Sequence, residues 1–241
     1  MVRVKFCGIT TLEDAAASIE SGADLLGFNF YPRSPRSISP DACRQIVQSL
    51  GDVVEQANRP IHLVGVFVNQ PPEEVIAILE SCALDLAQLS GDEPAEDLQR
   101  IGRQAYKAIR LGRETSLEDA IHNARPRSEA PAFLIDASVP GEYGGTGQIA
   151  DWSRARLAAQ YFPLLLAGGL TPDNVGLAVR AVQPWGVDVA SGIESAPGQK
   201  DPRKMEAFVR EVRRTDVPAA VNPGSSPRPG TTVNRSTERI E

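Results

Sequence analysis

The sequence predicts an α/β protein built as a single (β/α)8 barrel. Three observations carry that expectation. Eight short apolar runs alternate with helical stretches, eight such units fill roughly 210 residues where an open sheet usually holds fewer, and a chain of 241 residues suits one barrel domain.

The first run, residues 2–7, is rich in β-branched residues and stops at Cys7-Gly8. Residues two apart on a strand share a face, so Lys5 and Cys7 stand together. Thr10 and Glu13 have the spacing of a capping box, which predicts that a helix over 12–21 begins there. Further apolar runs at 24–30, 62–68, 85–89, 106–110, 133–136, 164–167 and 187–190 read as strands. Between them, 40–50, 72–82, 96–103, 116–124, 152–160 and 172–182 read as helices, and a last helix lies near 202–213. Asp24, Asp85 and Asp188 recur as a weak repeat, each read as opening a strand. That end of a barrel strand is the stability face, so the three read as structural. From about residue 215 the chain turns to Pro, Gly, Ser and Thr, and 215–241 is expected to be a flexible tail outside the 1–214 barrel.

Composition narrows the function. Hydrophobic residues make up 41%, enough for a sizeable core, and a net charge of −6 argues against a nucleic-acid partner. The three cysteines, Cys7, Cys43 and Cys82, form no CxxC and no disulfide framework, as suits a reducing compartment. The two histidines, His62 and His122, lack a partner at metal-ligand spacing, so no histidine-held metal is expected. No apolar run approaches the ~18 residues of a membrane span, and the start shows no apolar signal core. A cytoplasmic protein with a small-molecule ligand, and without nucleic acid or membrane, is the expectation.

In a barrel the chemistry sits at the carboxyl ends of the strands. The polar residues placed there are Cys7, Asn29, Asn69, Ser90, Arg110, Asp136, Gly168-Gly169 and Ser191-Gly192, in strand order. Cys7 reads either as buried filler or as a reactive thiol that a nearby cation would favour as thiolate. Asp136 reads either as a cap or as a proton donor. One base and one acid across a barrel mouth would suit an isomerisation. Gly168-Gly169, before a helix with Pro172 in its first turn, and Ser191-Gly192 follow strands seven and eight, where backbone N–H groups commonly cradle phosphate. Arg36, in the stiff 31–37 loop with Arg33, is placed to clamp a carboxylate or to lie solvated. Residues 141–147 read as a glycine-rich active-site loop.

These residues together resemble the phosphoribosylanthranilate isomerase family of tryptophan biosynthesis. The marks run from Val2 to about Arg213: Lys5-Phe-Cys-Gly-Ile-Thr10, Gly27-Phe28 with Tyr31-Pro32-Arg33-Ser34, Val64-Gly-Val-Phe-Val68, Gln88-Leu89, Gly144-Gly-Thr-Gly147, Ala167-Gly-Gly-Leu170 with Pro172-Asp-Asn-Val175, and Val187-Asp-Val-Ala-Ser-Gly192 with Pro197-Gly198 and Lys200-Asp201. The resemblance implies an Amadori rearrangement of N-(5-phosphoribosyl)anthranilate to 1-(2-carboxyphenylamino)-1-deoxyribulose 5-phosphate, without metal or organic cofactor. It implies Asp136 as general acid, Cys7 as general base and Arg36 on the anthranilate carboxylate. It also implies Gly168, Gly169, Ser191 and Gly192 around the phosphate, in a monomer or homodimer. Ser90 departs from the histidine common in the family after Gln-Leu. A ProFAR-type isomerase fits less well, because Cys7 stands where it carries aspartate, and a metal-dependent sugar-phosphate epimerase lacks its histidines here. A catalytically silent phosphate-binding barrel is the alternative outside the enzymes; it would be expected to lose Cys7 or Asp136, and both are present.

Overall fold

The computed structural model describes residues 1–111, 115–137 and 152–216. The 141–147 loop and the chain beyond 216 therefore lie outside the described residues. Eight parallel strands close on themselves in sequence order, so β1 pairs with β8 as well as with β2. They are β1 (Arg3–Cys7), β2 (Leu25–Asn29), β3 (His62–Phe67), β4 (Leu86–Leu89), β5 (Ala105–Leu111), β6 (Leu134–Ala137), β7 (Leu165–Leu166) and β8 (Gly186–Val189). Closure pairs every strand on both sides and leaves no edge. The predicted (β/α)8 barrel is the architecture found.

Alternation along each strand divides the side chains into two sets. One set fills the barrel: Leu25, Val64, Leu86, Tyr106, Leu134 and Leu165 form an inner cluster. The other set, including Val4, Phe6, Leu26, Phe28, Ile135, Val187 and Val189, faces the surrounding helices and is almost wholly buried. Each large apolar side chain removed from water contributes about 1.5–3 kcal/mol, so this outer layer supplies much of the folding drive.

The helices are α1 (Leu12–Ser21), α2 (Pro40–Ser49), α3 (Gly51–Gln56), α4 (Pro72–Ser81), α5 (Ala95–Ile101), α6 (Leu117–Ala124), α7 (Trp152–Ala159), α8 (Val175–Val182) and α9 (Pro202–Asp216). The last closes the ring: Phe208 is fully buried, its ring 6.0 Å from that of Phe6. Among the described residues no helix is long and apolar enough to cross a membrane.

Several expectations shift in detail. Helix α1 is capped by Thr11, whose hydroxyl accepts from Asp14 N at 3.1 Å, while Thr10 donates to Gly198 O. Thr10 is thus engaged with another part of the fold, and the cap falls one residue later. Helix α8 begins at Val175, because Asn174 ties residues 169–171 into a turn ahead of it. A short hairpin of β9 (Glu194–Ala196) and β10 (Gln199–Lys200), and α3, were not anticipated. Asp24 and Asp85 do precede their strands, and each accepts a backbone N–H of the adjacent strand, from Val4 and Leu63. Asp188 does not. It is the third residue of β8, because pairing with Arg3 starts that strand at Gly186.

Candidate active site

The site grows from the register of β1, β2 and β8. Lys5 stands opposite both Leu25 and Asp188, and Cys7 opposite Gly27. Valines 187 and 189 face the helices, so Asp188 faces inward and meets Lys5, with Nζ to Oδ1 at 2.8 Å. A Cβ on Gly27 would lie 3.0 Å from Cys7 Sγ and 3.1 Å from Lys5 Nζ, which puts the thiol and the ammonium side by side over a residue with no side chain. The expected pairing of Lys5 with Cys7 on one face is thus realised, with Asp188 as a third member.

At Lys5 and Cys7 burial is set against neighbouring charge. Lys5 is 0% exposed and Cys7 9%. Burial pushes the Cys7 thiol up, Lys5 and Lys200 pull it down, and the net shift is upward. Lys5 is pressed down by burial, but Asp188 and Cys7 outweigh this and hold it firmly cationic. Burial likewise pushes the Tyr106 phenol up, despite Lys5. Tyr106 donates to Gln88 at 2.9 Å, and Gln88 donates to Ser90 at 3.0 Å, so Ser90 ends a polar chain that runs from β5 to the end of β4.

Asp136 is half-buried on β6, in register with Arg110. It lines one cavity with Asp188, Gly168, Gly169 and Ser191. That cavity joins the acid of β6 to the loops after β7 and β8. Gly168 and Gly169 have φ of 98° and 66°, a region that costs other residues about 1–2 kcal/mol. Asn174 fixes the loop by donating to Gly169 O at 2.9 Å and accepting from Thr171 N at 2.8 Å. A Cβ on Gly192 would fall 1.9 Å from Leu170 O, so the two loops touch backbone to backbone there. A larger cavity of about 590 Å³, beside Glu93 and Lys107, includes neither Cys7 nor Asp136.

Arg36 is already engaged. Its Nε and Nη2 donate to the two carboxylate oxygens of Glu194, both at 2.7 Å. Glu194 also accepts from Lys200 Nζ at 2.8 Å, and that ammonium donates to Cys7 O at 2.6 Å. Burial raises the Glu194 carboxyl, but the hydrogen bonds from Arg36 and Lys200 bring it below its ordinary range. Burial dominates at Lys200 and lowers it, against Glu194. Arg33 is exposed. Asn29 serves its own loop, accepting from Tyr31 N and donating to Ser34.

The family model of N-(5'-phosphoribosyl)anthranilate (PRA) isomerase matches residues 4–211. The chain belongs to this family. Its relatives include the N-(5'-phosphoribosyl)anthranilate isomerases of Geotalea uraniireducens, 46% identical over 213 residues, and Geobacter sulfurreducens, 45% identical over 213. Each alignment covers 88% of this chain and 99% of the relative. Among solved structures, phosphoribosyl anthranilate isomerase from Thermotoga maritima superposes with a TM-score of 0.77 at 38% identity, covering 89% of this chain and all of that one. A second such isomerase structure, in complex with reduced 1-(o-carboxyphenylamino)-1-deoxyribulose 5-phosphate, gives 0.74 at 38% identity, over 89% of this chain and 100% of that one. The Thermotoga maritima enzyme is also described as dimeric.

Asp136, Gly168, Gly169, Asp188 and Ser191 thus line one cavity, Gly192 packs against Leu170 of the same lining, and Cys7 lies beside Lys5, the partner of Asp188. Four residues escaped the sequence reading as parts of the site: Asp188, Glu194, Lys200 and Tyr106. Asp188 was legible in principle, since an aspartate between two core valines in a strand must point the other way. Glu194 and Lys200 had no such signal, because they meet only through the β9–β10 hairpin.

Proposed function

We propose that this protein isomerises N-(5-phosphoribosyl)anthranilate to 1-(2-carboxyphenylamino)-1-deoxyribulose 5-phosphate in tryptophan biosynthesis. The observation that carries the reading is the common surround of Asp188: it lines the cavity of Asp136 and the glycine loops, and it pairs with the lysine beside Cys7.

Asp136 gives a proton to the ribose ring oxygen, the C1–O bond breaks, and the ring opens to an iminium ion at C1. Cys7, as thiolate, removes the proton from C2, and that electron pair forms the C1–C2 double bond of an enolamine while the iminium nitrogen is neutralised. Protonation at C1 and loss of the C2 hydroxyl proton give the ketone. The positive iminium stands where a base is needed, so the substrate itself favours the thiolate that burial disfavours. Arg36 takes the anthranilate carboxylate, and the backbone around Gly168, Gly169, Ser191 and Gly192 takes the phosphate.

The test is turnover of freshly made phosphoribosylanthranilate, followed by loss of its fluorescence. Wild type is expected to turn over, with chelator present or absent. Cys7→Ser and Asp136→Asn are expected to lower kcat by about 10²–10⁴-fold with unchanged melting curves. Tight binding of a product analogue without turnover in wild type would instead favour the silent barrel.

A further inference from the structure

The Arg36–Glu194–Lys200 cluster is more elaborate than a surface ion pair. The side chains of Arg36, Glu194 and Lys200 are 14%, 4% and 0% exposed. Glu194 uses both oxygens on Arg36, through Nε and Nη2, and one of them again on Lys200. A guanidinium carries five N–H donors in a rigid fork. The edge of Nε and Nη2 is taken by Glu194, which leaves the edge of Nη1 and the second Nη2 hydrogen able to hold another carboxylate bidentately. The second cation matters for the charge: a guanidinium and an ammonium around one carboxylate leave the cluster net positive, so Glu194 orients Arg36 without cancelling its attraction for an anion. Holding the long side chain in place also moves the loss of its rotamer freedom from binding to folding.

Resting on the reading that Arg36 receives the substrate carboxylate, we propose that Glu194, backed by Lys200, is a positioning residue. It fixes the plane of Arg36 and reserves its outer edge for a carboxylate ortho to the amine. The same hairpin ties this selector to the catalytic strand, since Lys200 also holds the Cys7 carbonyl at 2.6 Å. Glu194 thereby acts on which N-aryl substrates are accepted rather than on proton transfer.

The experiment compares two ligands by calorimetry: reduced 1-(o-carboxyphenylamino)-1-deoxyribulose 5-phosphate, and the same molecule without the ring carboxylate. In Arg36→Met, the carboxylated ligand is expected to lose about tenfold or more in affinity while the other changes little. Failure of that arm refutes the role of Arg36 itself. Given that discrimination, Glu194→Gln is expected to weaken the carboxylated ligand selectively, again by about tenfold, and to raise KM with kcat nearly unchanged. Glu194→Asp keeps the charge but draws the fork back by one methylene; it should show the same selective loss and stands in if the glutamine variant does not fold. Equal weakening of both ligands means a merely structural role. No change, or tighter binding of the carboxylated ligand, means Glu194 does not position Arg36 or competes with substrate for it. Each of these results overturns the proposal.

Discussion

Cys7 is held between opposing influences that act within one turn of side-chain packing. Burial disfavours its thiolate, while Lys5 beside it and Lys200 behind its carbonyl favour it. The net upward direction has a consequence for rate. A base works in its deprotonated form and Asp136 as a protonated acid, so the gain in thiolate as pH rises is offset by loss of the acid, and any change that pushes the thiol higher still lowers kcat/KM at neutral pH. Lys5→Met removes the nearest cation and leaves Asp188 buried and unpaired, and both changes push the thiol higher still. The thiolate absorbance near 240 nm, read against Cys7→Ser, should therefore titrate at higher pH in Lys5→Met, and kcat/KM at neutral pH should fall. An unmoved titration would sink the role of Lys5 in tuning the base. The same variant breaks a buried ion pair, at about 3–5 kcal/mol. Because the folded value of Lys5 is raised, that stabilisation is complete below the ordinary lysine range and is lost only as pH climbs through the folded value.

At the scale of elements, the loops after β7 and β8 act as one unit. Their contact is backbone on backbone, with Gly192 against Leu170, and Asn174 pins the first loop from the start of α8. A methyl group at Gly192 has no flexible neighbour to displace, so Gly192→Ala must drive the loops apart. The variant should lose about 1–3 kcal/mol of stability and bind inorganic phosphate about tenfold more weakly, by competition against turnover. Asn174→Ala, which removes two hydrogen bonds and adds no bulk, should show a smaller effect in the same direction. Normal phosphate inhibition in Gly192→Ala would separate these loops from the phosphate. The β9–β10 hairpin has a longer reach: through Glu194 and Lys200 it joins the loop after β2 to the end of β1.

Across the whole molecule, the two ends of the barrel divide their tasks. Asp24 lies at the amino end, 2% exposed, and its carboxylate takes Arg3, the Val4 N–H and Arg213 of α9. It fastens the first strand to the last helix, far in the fold from the carboxyl ends that carry Cys7 and Asp136. Asp24→Ala should lower stability by about 1–3 kcal/mol and leave kcat and KM within twofold, as denaturant melts and the isomerase assay would show. A large fall in kcat with an intact fold would contradict this separation of stability face from active face.

The sequence by itself determined the number and order of the barrel strands and the helix that follows each, though not the extra helix α3, because these follow from apolar periodicity and local turn residues. It also placed Cys7, Asp136 and the two glycine loops at the carboxyl ends of their strands, since parallel strands in a barrel all end on one face. Thr10 was misread as a cap because Gly198, 188 residues away, engages its hydroxyl. Asp188 was misread because the start of β8 is set by pairing with β1, and its side chain by register rather than by local pattern. Only the tertiary structure decided that Lys5, Asp188 and Cys7 form one electrostatic unit and that Arg36 arrives already oriented by Glu194. Those contacts join residues up to 183 positions apart. No local propensity encodes such distances; closure of the barrel creates them.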